Sequence, residues 1–190
     1  LRAPLAAALA FAALAAGSAQ AAKARPHIDG FEAALAADGV RVSFRVADAV
    51  AEEILERIRS GIPVVFKHKI EVLGRRSVPL WPTARVVGRM RVETQVTYDS
   101  LNHTYDLVRT VAQRHPDPAP EPAEESRSTE SLEQALVWLT EIEGLPPVEI
   151  GEGAGEEKLR VRVESTLGRR WVWYLFYARF TVSAERNLED

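Results

Sequence analysis

The chain has 190 residues, 46% of them hydrophobic and 27% charged, with a formal charge of −3 and no cysteine. That length fits one domain with a core of its own, needing no metal or disulfide staple. The missing cysteines exclude disulfides, thiolate metal sites and a cysteine nucleophile, and the weak negative charge argues against a nucleic-acid binder working by bulk charge.

Arg2 precedes an alanine- and leucine-rich run from Ala3 to Gly17, followed by Ser18-Ala19-Gln20-Ala21. Charge, short apolar run and an A-x-A site, in that order, predict a secretory signal over 1–21, cut after Ala21. The expected compartment is periplasmic or extracellular, or an envelope anchorage if the signal is retained. Residues 22–27 read as a flexible lead-in, and 28–190 as one β-rich domain.

Ile28 to Leu35 predicts a strand, because Asp38-Gly39 is a hairpin turn signal and a clear strand follows. In that second strand Val40, Val42, Phe44 and Val46 alternate with Arg41, Ser43 and Arg45. Asp48 is expected to cap a helix with an apolar stripe of Val50, Ile54, Leu55 and Ile58, ended by Gly61 and Pro63. Ile62, Val64, Phe66, His68, Ile70 and Val72 then share one strand face, opposite Lys67, Lys69 and Glu71. Residues 74–83 read as a loop. Val86, Met90, Val92, Val96 and Tyr98 form the apolar phase of the next strand. A turn over 99–103 leads to a partner strand with Tyr105, Leu107 and Val111.

Residues 115–128, with prolines at 116, 118, 120 and 122, predict a solvated loop. Ser131-Leu-Glu-Gln134 is a capping box opening a helix whose face is Leu132, Ala135, Leu136, Leu139 and Ile142. Leu159, Val161 and Val163 mark a further strand, and Trp171 to Val182 a last one, with fraying from Arg186. Tight turns between neighbours favour antiparallel pairing. The expected fold is mainly β with two short α-helices, an antiparallel β-sandwich or half-open barrel.

Val40-Arg-Val-Ser-Phe44, Ser60-Gly-Ile-Pro63, Val64 to Leu73, Arg75-Arg76, Trp81, Tyr98-Asp-Ser-Leu101 and Ser131 to Leu136 carry a resemblance. Together they resemble the bacterial family called domain of unknown function 4390, over most of 28–165. The resemblance implies an exported protein of no assigned activity. It supplies no catalytic residue to carry over. The resemblance also implies a hint of envelope signalling, since members of that family are sometimes encoded near membrane sensor kinases.

Few residues invite chemistry. His68 lies on an apolar strand face, where a hydrogen-bonded core histidine is the plainer reading. His27, His68, His103 and His115 lack metal-ligand spacing, so no metal or other cofactor is expected. Asp99, Ser100, His103 and Asp106 cluster around one turn, and Asp99 and Asn102 suit that turn. Arg41, Arg45, Lys67, Lys69, Arg89, Arg91, Arg160 and Arg162 occupy wet strand phases. They make either a basic patch or a ladder of cross-strand pairs with Glu71, Glu93 and Glu164. The aromatics Trp171, Trp173, Tyr174, Phe176, Tyr177 and Phe180 crowd one segment. Trp171, Trp173 and Tyr177, with Arg89 and Arg91, are therefore the candidate partner-binding residues.

The leading expectation is a non-catalytic envelope module that binds an envelope protein or the membrane surface, and no nucleic acid. Two others stay open. One is a carrier of a lipid or other apolar ligand. The other is a hydrolase with a dispersed active site using His68 or His103.

Overall fold

The computed structural model describes residues 25–76, 83–113, 122–151, 158–172 and 176–188. The expected signal, residues 1–21, lies outside them, as do 22–24 of the lead-in. Antiparallel strand pairs open and close the described elements. Strands β1 (His27–Ala36) and β2 (Gly39–Ala47) pair through the Asp38-Gly39 turn. Helix α1 (Glu52–Arg59) leads to β3 (Val64–Arg76), β4 (Thr83–Asp99), β5 (Thr104–Gln113) and β6 (Ala123–Thr129). Helix α2 (Leu132–Thr140) runs straight into the two-residue β7 (Glu141–Ile142), and β8 (Lys158–Val172) pairs with β9 (Phe176–Asn187).

All pairings are antiparallel. One sheet has the order β1-β2-β7, the other β6-β5-β4-β3-β8-β9. The expected mainly-β antiparallel fold with two helices is what forms, and the sheets do not close into a barrel. Period-two alternation explains why. Val40, Phe44 and Val46 of the small sheet face Phe66, Ile70, Val72, Met90, Val92, Val96, Val161 and Val163 of the large one, and all are buried. Ile58 of α1 and Ala135 and Leu139 of α2 fill the ends of this core. Each large side chain sealed this way contributes about 1.5–3 kcal/mol.

The sheets are joined at their margins. Val40 and Val148 exchange backbone hydrogen bonds at 2.9 and 2.8 Å, and Gly151 N–H donates to the Val87 carbonyl at 2.9 Å. The Gln113 side chain stands in for a strand between these points. Its Nε2 donates to the Pro147 carbonyl at 2.9 Å, and its Oε1 accepts from Glu149 N–H at 3.0 Å. The segment 147–149 is thus threaded between two glycines. A Cβ on Gly39 would stand 2.4 Å from the Val148 carbonyl oxygen, and one on Gly88 2.4 Å from that of Glu149. Gly88→Ala should therefore lower stability by about 1–3 kcal/mol, read as a drop in urea midpoint at unchanged slope. At the opposite margin Arg186 donates to the Phe31 carbonyl at 2.6 Å, bridging β9 and β1.

Several expectations are corrected. Residues 123–129, expected within the Pro-rich loop 115–128, form the edge strand β6, paired with β5 from Val111↔Ala123 to Tyr105↔Thr129. An edge strand exposed on both faces has no apolar alternation to announce it. Residues 115–121 of that expected loop lie outside the described residues. The expected single strand 171–182 is instead the junction of β8 and β9, with Trp171 opposite Tyr177 across the ladder. Of the loop expected over 74–83, residues 74–76 belong to β3 and Thr83 to β4, and 77–82 lie outside the described residues. A β-bulge shifts the register between Val72 and Leu73, so Val86 leaves the face of Met90 and is exposed. Asp48 does not cap α1: it sits at φ 55°, and the N-cap is Ala51, which makes no side-chain cap. Arg186 does not fray, being held by Phe31.

Helix α2 starts as its capping box requires, with Ser131 Oγ accepting from Gln134 N–H at 3.3 Å. The reciprocal arm passes through Thr129. Ser131 N–H donates to Thr129 Oγ1 at 3.1 Å, and that hydroxyl donates to Gln134 Oε1 at 2.7 Å.

Candidate functional site

Three places in the fold carry polar chemistry: the buried middle of the large sheet, its outer face, and the β4–β5 turn. His68 stands at the centre of β3, on the inner face, 2% exposed. Its Nδ1 lies 2.9 Å from Ser165 Oγ on β8, and its ring meets Phe44 edge-on at 5.4 Å between centroids. Nε2 is buried with no partner among the described residues. Burial, and secondarily the positive charge of Arg109, push its pKa down to about 3. The imidazole is neutral at ordinary pH and walled off from solvent. A general base must reach its substrate, so His68 is placed as a core histidine.

Arg109 of β5 is also on the inner face and 8% exposed. It donates to the carbonyls of Trp138, Glu141 and Glu143 at 3.3, 3.1 and 3.4 Å, closing the C-terminal end of α2. Those carbonyls have no further helical donor, and a charged fork suits them. The guanidinium carbons of Arg109 and Arg127 lie over the Trp138 ring at 4.2 and 5.0 Å. Thr94 Oγ1 adds a bond to the Leu139 carbonyl at 3.4 Å. This arrangement holds α2 on the sheet.

The outer face carries the predicted cations, and most are neutralised by neighbours. Lys67 contacts both oxygens of Glu93 at 2.7 and 2.8 Å. Arg89 reaches Glu71 at 2.7 Å and Lys69 reaches the same carboxylate at 3.0 Å. Burial alone would raise the Glu71 pKa, but its bonds to Lys69 and Arg89 outweigh that and hold it below the usual range. Glu71, expected on the wet face, is thus buried beneath its partners. Glu185 pairs with both Arg160 and Arg162. Arg41 and Arg45 belong to the other sheet, near Asp38 and Asp29. The cross-strand ladder, rather than a basic patch, describes this surface. Exposed pairs of this kind each contribute about 0–1 kcal/mol.

Of the candidate partner-binding residues, Arg89 is tied to Glu71, and Arg91 is exposed opposite Lys69 in the β3–β4 register. Trp171 and Tyr177 oppose each other at the end of the β8–β9 ladder, and Trp173 lies outside the described residues. Arg89 and Arg91 sit on β4, and β3 lies between β4 and the β8–β9 ladder that carries Trp171 and Tyr177.

The β4–β5 turn was not singled out for contact by its sequence. Asp99 organises it, its carboxylate accepting from Leu101 N–H at 2.8 Å, Asn102 N–H at 3.3 Å and Asn102 Nδ2 at 2.7 Å. These bonds, the Leu101 N–H first, hold the Asp99 pKa below that of a free carboxyl. His103 adopts φ 55° and its Nδ1 lies 3.1 Å from Tyr98 Oη. Tyr98 packs on Tyr105 at 4.9 Å. This fixed frame presents Leu101, 90% exposed, the most exposed large apolar residue among those described. The clue in the sequence was a leucine between two polar turn residues. Hydrophobic periodicity carries no information inside a turn, so it went unread.

Among the described residues no group of His, Asp or Glu is arranged to hold a metal ion, and no helix is long and apolar enough to cross a membrane. The fold and its surface define a small two-sheet antiparallel β protein with internalised polar anchors. The chain belongs to the family described as domain of unknown function DUF4390, whose model matches residues 23–186. This bears out the resemblance carried by Ser60 to Pro63 and Tyr98 to Leu101. No curated protein and no solved structure matches the chain significantly.

Proposed function

We propose that this chain is a non-catalytic interaction module of the bacterial envelope, exported by its leading segment, which docks a protein partner through the β4–β5 turn. The observation that carries the reading is Leu101: a large apolar side chain left in water on a turn stiffened by Asp99. Contact residues of this kind contribute most when pre-organised, because little freedom is lost on docking. Ile62, exposed beside Gly61, adds apolar surface near this end, since a Cβ on Gly61 would lie 3.2 Å from the Tyr98 carbonyl oxygen. Asp99 and Asp106 flank the turn and disfavour an anionic bilayer, which makes a protein the better occupant.

Chemical crosslinking in envelope fractions, with the tagged chain as bait, tests this. The expected result is a reproducible partner whose recovery falls about tenfold in Leu101→Asp. That variant should keep its stability within about 0.5 kcal/mol, because the residue packs on little. No reproducible partner, or undiminished recovery with Leu101→Asp, would end the proposal. Binding to anionic lipid vesicles that survives Leu101→Asp would point away from the turn as well.

A further inference from the structure

The large sheet ends on one side in β6, and this edge differs from the others. Strand β1 is broken by a bulge between Asp29 and Glu32, and its Phe31 carbonyl is occupied by Arg186. Strand β9 lies beside β1. Strand β7 is two residues long. Strand β6 has none of these protections. Its register with β5 is unbroken over seven residues, and Ala123-Glu-Glu-Ser-Arg-Ser-Thr129 contains neither lysine nor proline. Among the described residues no strand pairs with its outer side. Such an edge offers a row of free N–H and C=O groups to another strand.

We propose that β6 pairs with β6 of a second copy of this chain, antiparallel about a two-fold axis normal to the sheet at Ser126. A two-fold in that direction keeps each residue on its own face, so only pairings of like phase are available. Centred on Ser126, the pairing sets Ser126 against itself, Glu124 against Ser128, and Glu125 against Arg127 of the second copy. Centred one residue earlier it opposes Glu125 to Glu125, and one residue later Arg127 to Arg127. Both of those place like charges face to face, which is destabilising. The charges on this edge therefore select one register. Glu125 and Arg127 already meet within the strand at 2.5 Å, on one face, so the pair is in place to be shared across the axis. The result is a continuous twelve-stranded sheet, with Trp138 and Arg109 beneath the edge in each copy. The pairing does not depend on the Leu101 turn, which projects from the β4–β5 end.

The absence of cysteine provides the test. Residues opposed across an antiparallel pair stand about 4.5–5.5 Å apart at Cα, within disulfide range. In the otherwise intact chain, Ser126→Cys should convert to a disulfide-linked dimer under mild oxidation, while Ser183→Cys on exposed β9 should not. Sedimentation of the unaltered chain should show twice the monomer mass at high micromolar concentration. Arg127→Glu should weaken that association at least about tenfold, and Glu125→Arg combined with Arg127→Glu should restore it. A unaltered chain that stays monomeric, crosslinking by Ser126→Cys no faster than by Ser183→Cys, or an association indifferent to Arg127→Glu would each overturn the proposal.

Discussion

Lowering the pH from 7 to 5 is expected to cost the native chain about 2 kcal/mol, and His68→Gln should abolish most of that loss. The reason is the depressed pKa of His68, about 3 in the folded chain against the ordinary 6.5 when unfolded. Between those values the unfolded chain binds a proton that the folded chain refuses. Stability therefore falls as pH drops through 6.5, by about 1.4 kcal/mol per unit once well below it, and stops falling near pH 3. The carboxylates act in the same direction but later. Asp29, Glu71, Asp99 and Glu185 have lowered pKa values, so the stability they give is present above the usual carboxylate range and is lost below it. The window from pH 6.5 to 5 therefore isolates the histidine. Urea unfolding across it should give a sloping stability for the parent chain and a nearly flat one for His68→Gln, with both dropping at lower pH. Parallel slopes in that window would show that His68 is not sequestered as described.

The second large effect is expected at Arg109. Replacing it with alanine strips a donor from the carbonyls of Trp138 in α2, Glu141 in β7 and Glu143 beyond it, and removes a cation from the Trp138 ring. A buried carbonyl left without a donor costs about 1–3 kcal/mol, and the lost ring contact about 0.5–2 kcal/mol. Part of this is offset because the guanidinium no longer has to be desolvated. The expected net loss is about 3–4 kcal/mol in denaturant unfolding. Arg109→Lys should recover only a fraction, since an ammonium cannot present a planar fork to carbonyls spread over six residues, 138–143. A loss below about 1 kcal/mol would mean that Thr94 and the apolar face of α2 hold the helix unaided.

Much of this fold was legible because most strands are wet on one face only. Val40 to Val46, Val64 to Ile70, Met90 to Val96 and Leu159 to Val163 alternate cleanly, and each lies where its alternation predicts. The α2 start was legible from Ser131 and Gln134, because a cap is a local bond between residues three apart. What could not be read depended on partners elsewhere in the chain. The bulge that turns Val86 outward exists only relative to Val72 and Leu73 on the neighbouring strand. The burial of Glu71 requires Arg89 from that same strand. Strand β6 is defined by pairing with β5 alone, having no buried face to impose a pattern. The candidate site followed the same rule. His68 was readable as a core histidine, and the cross-strand ladder was one of two readings of the cations. Leu101 was missed because what makes it notable is its surroundings.

The middle of the large sheet has a consequence for the order in which the chain assembles. Strand β3 receives β4 as its first neighbour through one short connection, but its other neighbour, β8, arrives much later in synthesis: His68 and Ser165 are 97 residues apart. Closing so distant a pairing is slow, because chain entropy is surrendered before the contacts repay it. Until β8 docks, β3 is itself an open edge and His68 lacks its Ser165 partner. A chain made from its N-terminus thus spends its most sticky interval with its future centre unpaired, which makes a holdase at the point of emergence an advantage.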